Sequence, residues 1–383
     1  MDAEVLFTIT NEQLDTGLRG FPIGTVTTST VNPEKGLYYR GMPVSDLVDK
    51  NPEEVIYLLF EGHLPSKEEL STFSNELRKR SSLKPKAKEA ILRLPREASP
   101  MALLSMAIMI VGGFESKGDW KEDALKLVAL MPKITALVIN HHANLGDTPK
   151  ANEELGYTEN FLSMLQIPNK SKELLDILRL FLLLHFDHGG GNLSTFVGKA
   201  VASGLEDLFG SIAASMNALA GPLHGRANED CLIFNQSLMQ EVGPQPTEER
   251  IEKALRGRLE RKELVFGFGH AVLRVEDSRA KVLYDAGQLH FPNDPMVQFA
   301  LMLRKVGPKV LKENPKISSP YPNVDAISGS VLMAAGFPYP EYFTLLFGLS
   351  RVVGISAQIV HERVIARGGK GVPIYRPKYI YKQ

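Results

Sequence analysis

Apolar residues recur every three to four positions along most of the chain, in segments separated by polar, proline-rich or glycine-rich breaks. This spacing predicts amphipathic helices, with clear examples at residues 52–61, 67–80 and 85–92. A strand pattern is found near the front, where residues 25–31 and 36–40 flank the turn sequence NPEK and predict a small hairpin. The chain is therefore expected to be all-α with a minor β-hairpin near its amino terminus.

The helical segments fall into two groups. Residues 172–221 are expected to form two long, very apolar helices divided by the sequence HGGGN at 188–192. So much apolar surface exceeds what one lobe can cover, which favours packing against a second subunit. Residues 225–336 carry more charge and longer loops, and residues 340–366 are again strongly helical. We therefore predict a large helical domain (residues 1–224 and 337–383) that carries a dimer interface, and a small domain (residues 225–336).

Composition limits the classes of function. The 44 Lys and Arg residues balance 44 Asp and Glu residues, so net charge favours neither nucleic acid nor an anionic membrane, and individual arginines must recognise any anion. A single cysteine, Cys231, excludes an internal disulfide and a cysteine-based zinc site. The first residues lack signal or transit-peptide character, and the apolar runs at 101–112 and 178–184 are short of the roughly 20 residues that span a bilayer. These features predict a cytoplasmic protein.

Three segments place a titratable side chain beside a glycine or proline break. His224 lies in GPLHG at 221–225, His270 in GFGH at 267–270, and Asp325 in PNVD at 322–325. Two imidazoles and one carboxylate form a set suited to proton transfer. His224 is expected at a helix start, where the macrodipole keeps an imidazole neutral and able to donate a hydrogen bond. Taken singly, each residue also fits a capping or packing role.

Two further patterns bear on ligand binding. The glycine loop before His270 is followed by Arg274 and Arg279, and exposed N–H groups beside cations suit phosphate or carboxylate. His185 and His188 are three residues apart and could share a metal on a helix. No third ligand stands nearby, so we expect one core histidine and one functional or capping histidine, and we predict no metal site.

The sequences of these segments and their order along the chain resemble the citrate synthase family, in particular its dimeric mitochondrial-type branch, from about residue 17 to 379. The most specific blocks are HFDHGGGN at 185–192, LAGPLHGRAN at 219–228, residues 267–279 and 322–329, and LFGLSR at 346–351. The resemblance implies a two-lobe all-α fold that closes over its substrates. It implies an acyltransferase that condenses acetyl-CoA with oxaloacetate and water to citrate and CoA, at entry to the tricarboxylic acid cycle, with acetyl-CoA as co-substrate and no prosthetic group.

The resemblance also implies a role for each matched residue. Asp325 would be the base that removes a methyl proton, His224 the donor to the thioester oxygen, and His270 the polariser of the oxaloacetate ketone. Oxaloacetate would be bound by His188, Arg279, Arg351 and Arg376, the last reaching in from the other subunit of a homodimer. CoA would contact Arg19, Val265, Gly267, Gly269, Arg274 and Asn323, so the small domain would carry most of the CoA-binding and catalytic residues.

Some residues depart from the family pattern. Arg226 stands where a small or apolar residue is usual and adds a cation near the site. Ser278 replaces a common proline, which is expected to loosen the turn before Arg279. Ser318 replaces a CoA-contacting lysine, for which Lys316 is a candidate substitute. The connection at residues 367–373 looks longer than usual and leaves the register of Arg376 open.

Three alternatives remain open on sequence grounds. A 2-methylcitrate synthase would use propionyl-CoA, a difference of one methyl group worth only about 1–3 kcal/mol in an apolar pocket. A non-catalytic acyl-CoA or dicarboxylate-binding protein on the same scaffold would not need the three proton-transfer side chains. A metal hydrolase built on His185 and His188 would lose its activity to a chelator.

Overall fold

The computed structural model describes residues 5–381, and most of them are helical. Within this part of the chain the α-helices are α1 (Pro52–Glu61), α2 (Lys67–Arg80), α3 (Pro85–Leu92), α4 (Pro100–Glu115), α5 (Trp120–His142), α6 (Tyr157–Met164), α7 (Lys172–His185), α8 (Leu193–Ser203), α9 (Leu208–Leu219), α10 (Ala227–Val242), α11 (Glu248–Glu260), α12 (Ser278–His290), α13 (Pro295–Leu311), α14 (Asp325–Ala334) and α15 (Phe343–Val360). Short 3-10 helices occupy Asn11–Gln13, Val44–Leu47 and Pro340–Tyr342. The all-α prediction is confirmed.

The three helices predicted at 52–92 have the expected bounds, because local capping fixes them. Pro52 and Pro85 stand at the first helical position, where the missing N–H costs nothing. At α2, the Ser66 hydroxyl accepts from the Glu69 N–H while the Glu69 carboxylate accepts from the Ser66 N–H. Gly62 ends α1 with φ +91°, a conformation that favours glycine.

The predicted hairpin is present as part of a three-stranded antiparallel sheet. Strand β1 (Ser29–Asn32) pairs with β2 (Gly36–Tyr39), which pairs with β3 (Met42–Pro43). The Asn32 side chain accepts from the N–H groups of Glu34 and Lys35 and so closes the turn. The first strand begins later than the predicted residue 25, and the sequence pattern did not reveal β3.

The prediction of two long helices at residues 172–221 is wrong, because the chain forms three helices there. The break at 188–192 is present, but a second break follows α8, where Leu205 takes φ +70° directly after Gly204. Asp207 then caps α9 by accepting from the Gly210 N–H at 2.8 Å. This sharp turn lets α8 and α9 pack against each other.

Helix α15 is the centre of the larger hydrophobic core. It is buried along its whole length and packs against α1, α4, α5, α7, α8, α9 and α10. The Gly354 N–H donates to the Phe186 carbonyl at 3.0 Å, at the end of α7. A Cβ at Gly354 would lie 2.5 Å from Asp187 Cβ, so the contact requires glycine. The end of α7 is therefore fixed against the middle of α15.

A π-helical turn, His361–Ile365, follows α15 directly. Within it, Glu362 is buried and pairs with the buried Lys199 of α8 at 2.9 Å. The chain then runs back along α8, where the Tyr375 N–H donates to the Ser203 hydroxyl at 3.1 Å. The carboxyl-terminal segment is thus tied to α8 at two points.

Two helical stretches, Trp120–His142 and Pro340–Ile365, are long and apolar enough to cross a bilayer by composition. Their most apolar windows are 89% and 94% buried inside the fold, as expected of core helices. Neither stretch was among the apolar runs identified from the sequence.

A second hydrophobic cluster lies within the range predicted for the small domain. It is formed by α10, α11 and α13 and includes Leu238, Leu255, Phe299 and Val306. All of its buried members lie within residues 225–336. Helices α12 and α14 from the same range contribute to the larger core instead. The domain boundaries stay a prediction.

We predict that Gly354→Ala will destabilise the protein by about 1–3 kcal/mol or more, because the new methyl group has no room between α15 and the Phe186–Asp187 backbone. Urea denaturation measures the change. The matched control is Gly113→Ala in α4, where a Cβ meets nothing within 4 Å and alanine should be neutral or stabilising. Equal effects of the two substitutions would contradict the proposed close approach.

Candidate active site

Two short backbone segments join His270 to Asp325. The glycine loop pairs with residues 321–323: the Gly269 N–H donates to the Tyr321 carbonyl at 3.0 Å, and the Asn323 N–H donates to the Gly267 carbonyl at 2.9 Å. Gly267 has φ +80°, and a Cβ there would lie 2.9 Å from the Ala326 backbone. The glycine therefore allows the loop to rest directly on the start of α14, which begins at Asp325.

His224 lies at the amino terminus of α8 rather than at the start of the helix that follows it. The Ser194 N–H, in the first turn of α8, donates to His224 Nε2 at 3.2 Å. A backbone N–H can only donate, so Nε2 is the accepting nitrogen and Nδ1 carries the proton. Burial, with a smaller contribution from Arg351, lowers the pKa of His224 to about 4. The imidazole is neutral, as predicted, with Nδ1–H available as a donor.

His270 is fixed in the opposite tautomer by its own loop. Its Nδ1 accepts from the N–H groups of Val272 and Leu273, both at 3.0 Å, so the proton is on Nε2. Burial lowers the pKa of His270 to about 4, and the Arg279 guanidinium adds to the effect. His270 is therefore a neutral imidazole that presents Nε2–H.

His188 packs edge-on against His270, with 5.3 Å between ring centroids. Its Nε2 is buried and has no partner within the described part of the chain. The backbone that carries it is held by the fully buried Asp187, whose carboxylate accepts from the His188 N–H, the Gln358 amide and the Thr28 hydroxyl at 2.8, 2.8 and 2.5 Å. Asp187 therefore positions His188, a role that the sequence analysis missed although Asp187 lies inside the HFDHGGGN block.

The neighbouring His185 is a core residue. It stacks on Phe181, donates through Nδ1 to the Phe181 carbonyl at 2.7 Å, and has its pKa lowered to about 3 by burial. Among the described residues no group of three His, Cys, Asp or Glu side chains could hold a metal ion. The arrangement gives no support to a metal shared by His185 and His188.

Two buried arginines lie among the histidines. Arg279 donates from Nε and Nη2 to the two oxygens of Asp277, at 3.1 and 2.7 Å. Arg351 donates from Nε to the His185 carbonyl at 2.9 Å, and within residues 5–381 its two terminal nitrogens have no protein acceptor. Burial lowers the pKa of Arg351 to about 10, so it stays charged at neutral pH. Asp277, two residues before Arg279, was also missed from sequence.

Asp325 has an unusual carboxyl group. Burial raises its pKa from 3.8 to about 6, while Arg279 opposes the rise. Its own N–H donates to the Asn323 side chain at 3.0 Å, which fixes the first turn of α14. The carboxylate is therefore a stronger base than an exposed aspartate, yet still ionised at pH 7.

Electrostatic coupling shows which of the predicted residues come together. Arg279 influences the pKa of His188, His270 and Asp325. Arg351 influences the pKa of His188 and His224. Residues from five separate sequence blocks thus form one cluster with two fixed cations.

Other predicted residues lie elsewhere or are engaged differently. Arg19 and Arg376 are exposed and make no side-chain hydrogen bond or ion pair within residues 5–381. Arg274 turns back onto its own loop, donating to the carbonyls of residues 270–273. Val265 is partly buried beside Gly267. The predicted roles of Arg376 in oxaloacetate binding and of Arg19, Val265 and Arg274 in CoA binding stay predictions.

The departures from the family pattern have structural explanations in two cases. Ser278 does not loosen the turn, because its hydroxyl accepts from the Leu37 N–H at 3.2 Å and ties α12 to β2. Arg226 is exposed and pairs with Asp230 at 3.3 Å along α10. Ser318 and Lys316 are both exposed, and nothing in the structure explains that pair.

Comparison with known proteins identifies the family. A family model described as the citrate synthase C-terminal domain matches residues 17–378. Mitochondrial citrate synthase of Daucus carota is 34% identical over 396 aligned residues, covering 97% of this chain and 82% of the relative. The chain belongs to the citrate synthase family. It is therefore an enzyme and an acyltransferase.

Further relatives support the assignment. Mitochondrial citrate synthase of Neurospora crassa is 34% identical, covering 98% of this chain and 84% of its own. The structure of citrate synthase from Thermoplasma acidophilum, in a ternary complex with carboxymethyl coenzyme A and oxaloacetate, superposes with a TM-score of 0.83 at 29% identity, covering 97% of this chain and 96% of that one.

The predicted cytoplasmic location is wrong by this comparison. The curated relatives of Daucus carota, Neurospora crassa and Arabidopsis thaliana are all named mitochondrial citrate synthases, which points to the mitochondrial matrix. The prediction relied on the composition of the first residues, which carries no information about the chemistry of the site.

We predict that Asp325→Asn will be more stable than the parent by about 1–3 kcal/mol at pH 8. The folded-state pKa of Asp325 is raised, so its carboxyl group contributes stability below pH 3.8 that is lost as pH rises through about 6. The amide of Asn does not ionise, so the variant does not lose this stability as pH rises. Urea denaturation at pH 8 and pH 5 should show a smaller gain at pH 5. Asp285→Asn, at an exposed position of α12, is the control and should show no gain; a destabilised Asp325→Asn at pH 8 would contradict the argument.

Proposed function

We propose that this enzyme is a citrate synthase that condenses acetyl-CoA with oxaloacetate and water to citrate and CoA. The observation that carries the proposal is the set of fixed protonation states in one cluster. His224 presents Nδ1–H, His270 presents Nε2–H, and Asp325 is an ionised carboxylate with a raised pKa. One base and two neutral donors are the groups required to form an enolate and add it to a ketone.

The first step is enolisation of the thioester. Asp325 takes a proton from the methyl group of acetyl-CoA, and the electron pair of the broken C–H bond moves toward the thioester oxygen. His224 donates its Nδ1–H to that oxygen. Because its pKa is lowered to about 4, His224 is neutral at pH 7, and it stabilises the developing charge through a hydrogen bond in a site already arranged for it.

The second step forms the carbon–carbon bond. The enolate carbon attacks the ketone carbon of oxaloacetate, and the ketone oxygen gains the negative charge. His270 donates its Nε2–H to this oxygen, giving citryl-CoA once the oxygen is protonated. Water then cleaves the thioester, releasing citrate and CoA, so the reaction needs no oxidant or metal.

Magnitudes show why the donors matter. General-base catalysis contributes about 10² to 10⁴-fold, which is far from enough for so weak a carbon acid. A preorganised donor to an oxyanion adds about 10² to 10³-fold each. The rise in pKa of Asp325 to about 6 makes it a better base while leaving it ionised at pH 7. Activity should therefore fall as pH drops below about 6.

Oxaloacetate carries two carboxylates, and the site offers two buried guanidinium groups. Within the described part of the chain, both terminal nitrogens of Arg351 lack a protein acceptor, which suits a bidentate carboxylate contact. Arg279 is held by Asp277 and adds a second cation, and the unpartnered Nε2 of His188 supplies a further polar contact. Arg376, exposed on its own chain, is proposed to complete the partner subunit's site in a homodimer.

Acetyl-CoA is proposed to bind along the glycine loop as a co-substrate. Gly267 and Gly269 let a ligand approach the backbone, with Val265 and Asn323 beside them. Arg274 would have to release its loop carbonyls to reach a CoA phosphate, and Arg19 is the other proposed phosphate contact. Movement of the small domain toward the large one would exclude water during condensation.

The direct test is thiol release from purified protein supplied with oxaloacetate and either acetyl-CoA or propionyl-CoA, without added metal. We expect faster release with acetyl-CoA, a loss of about 10² to 10⁴-fold in Asp325→Asn, and no loss in Asp285→Asn. A strong preference for propionyl-CoA would move the assignment to 2-methylcitrate synthase. Absence of release with both acyl-CoAs would leave a ligand-binding protein on this scaffold.

A hybrid experiment tests the contribution of Arg376 across a dimer. Arg376→Gln and Asp325→Asn subunits, each expected to be inactive alone, are co-expressed with different affinity tags. If Arg376 acts in the partner's site, one of the two sites in each hybrid dimer is intact, so the purified hybrid should recover about half of the parent activity. Lys378→Gln, an exposed neighbour, is the control and should stay active alone. An inactive hybrid would place Arg376 in its own subunit's site.

A further inference from the structure

The segment that carries His188 has little rigidity of its own. His188 is followed by three glycines, and Gly189 takes φ +71°, in the left-handed region that glycine enters readily. Glycine also has the most conformational freedom to lose on folding, so a run of three holds the preceding side chain poorly by itself. The position of His188 must therefore come from bonds to other parts of the chain.

Gln358, in α15, bonds the residues on both sides of His188. Its Nε2 donates to Asp187 Oδ1 at 2.8 Å and to the Gly189 carbonyl at 3.1 Å. The same Asp187 oxygen accepts from the His188 N–H at 2.8 Å. An amide nitrogen has two N–H groups, and both are used here. A single side chain thus spans His188 and holds the backbone before and after it.

A buried ion pair fixes which way the Gln358 amide points. Lys199 Nζ lies 3.4 Å from Gln358 Oε1 and 2.9 Å from Glu362 Oε1. An ammonium group can only donate, whereas the Asp187 carboxylate on the other side of the amide can only accept. These neighbours hold the amide oxygen toward Lys199 and the amide nitrogen toward Asp187. Gln358 is only 3% exposed, so little water competes for its bonds.

Arg351, the proposed carboxylate contact, lies on the same helix as Gln358. The two residues are seven positions apart, about two turns, so their side chains leave the same face of α15. Arg351 Nε bonds the carbonyl of His185, and Gln358 bonds the residues around His188. Helix α15 therefore sets the spacing between Arg351 and His188. A dicarboxylate that contacts both side chains requires this spacing to be constant.

We propose that Gln358 is a positioning residue for oxaloacetate binding that acts through Asp187 on His188. The inference rests on the proposed function, because it assigns Gln358 to the oxaloacetate half of that site. The bonds of Gln358 go to Asp187, Gly189 and Lys199, and none of these three residues is a proposed CoA contact. Loss of the amide should therefore weaken oxaloacetate binding and leave the use of acetyl-CoA unchanged.

The test is a double-mutant cycle measured by isothermal titration calorimetry with oxaloacetate. Gln358→Met keeps the length of the side chain and removes the amide, so binding should weaken about tenfold as a hydrogen bond to a charged group is lost and His188 is released. His188→Ala removes the positioned side chain, while Arg279 and Arg351 keep binding measurable. In the His188→Ala background, Gln358→Met should have no further effect. In steady-state assays, Gln358→Met should raise the KM for oxaloacetate and not the KM for acetyl-CoA.

The matched control is Asn140→Leu. Asn140 is also a buried amide, and its Nδ2 donates two hydrogen bonds, to the Thr148 hydroxyl and the Met164 carbonyl, neither of which belongs to the site. This variant should unfold at a lower temperature and bind oxaloacetate as the parent does. Gln358→Asn provides a milder second variant, because it keeps an amide on a side chain one methylene shorter, and it should also weaken oxaloacetate binding.

The outcomes separate this inference from the proposed function. If the parent releases thiol and Gln358→Met binds oxaloacetate as tightly as the parent, the inference fails and the proposed function stands. Equal weakening by Gln358→Met in the parent and His188→Ala backgrounds would show that Gln358 acts independently of His188, and the inference fails again. Weakening by Asn140→Leu to the same extent would trace the effect to stability and also overturn it. A parent that neither binds oxaloacetate nor releases thiol would overturn the proposed function, and this inference with it.

Discussion

The contact between α15 and the end of α7 is the constraint on which the rest of the structure depends. Gly354 brings the two backbones together, Ser350 donates to the Leu182 carbonyl at 2.5 Å, and Arg351 donates to the His185 carbonyl at 2.9 Å. These bonds stop α7 at His185 and turn the chain toward His188. The helix that organises the large core therefore also carries one substrate-binding candidate and positions another.

The site concentrates charge that the fold must stabilise without water. Asp187 accepts three hydrogen bonds, and Arg279 is held by both oxygens of Asp277. Buried charges are tolerated only when they are bonded in this way, because desolvation of an isolated ion costs several kcal/mol. Arg351 is less fully bonded by the protein, and burial lowers its pKa. A dicarboxylate would supply the missing acceptors.

The sequence predicted the local features well and the long-range ones poorly. Helices α1 to α3 follow from proline and capping residues, and the histidine and aspartate segments follow from glycine and proline breaks. The break after α8 was missed because Leu205 adopts a left-handed conformation that a leucine rarely takes. The bond from Ser194 to His224, the tautomer it selects and the raised pKa of Asp325 depend on contacts between distant segments, which no local pattern contains.

The π-helical turn after α15 has a consequence for how this protein tolerates changes in length. A π-helical turn holds one more residue than an α-helical turn, and here the Ala366 N–H bonds the His361 carbonyl five positions back. Deleting one residue would restore α-helical phase but rotate everything beyond it by about 100°. Glu362 would no longer face Lys199. The segment from the turn to Tyr375 would no longer lie along α8, where the Tyr375 N–H bonds Ser203. The extra residue is therefore a spacer that sets the direction of the entire carboxyl-terminal arm.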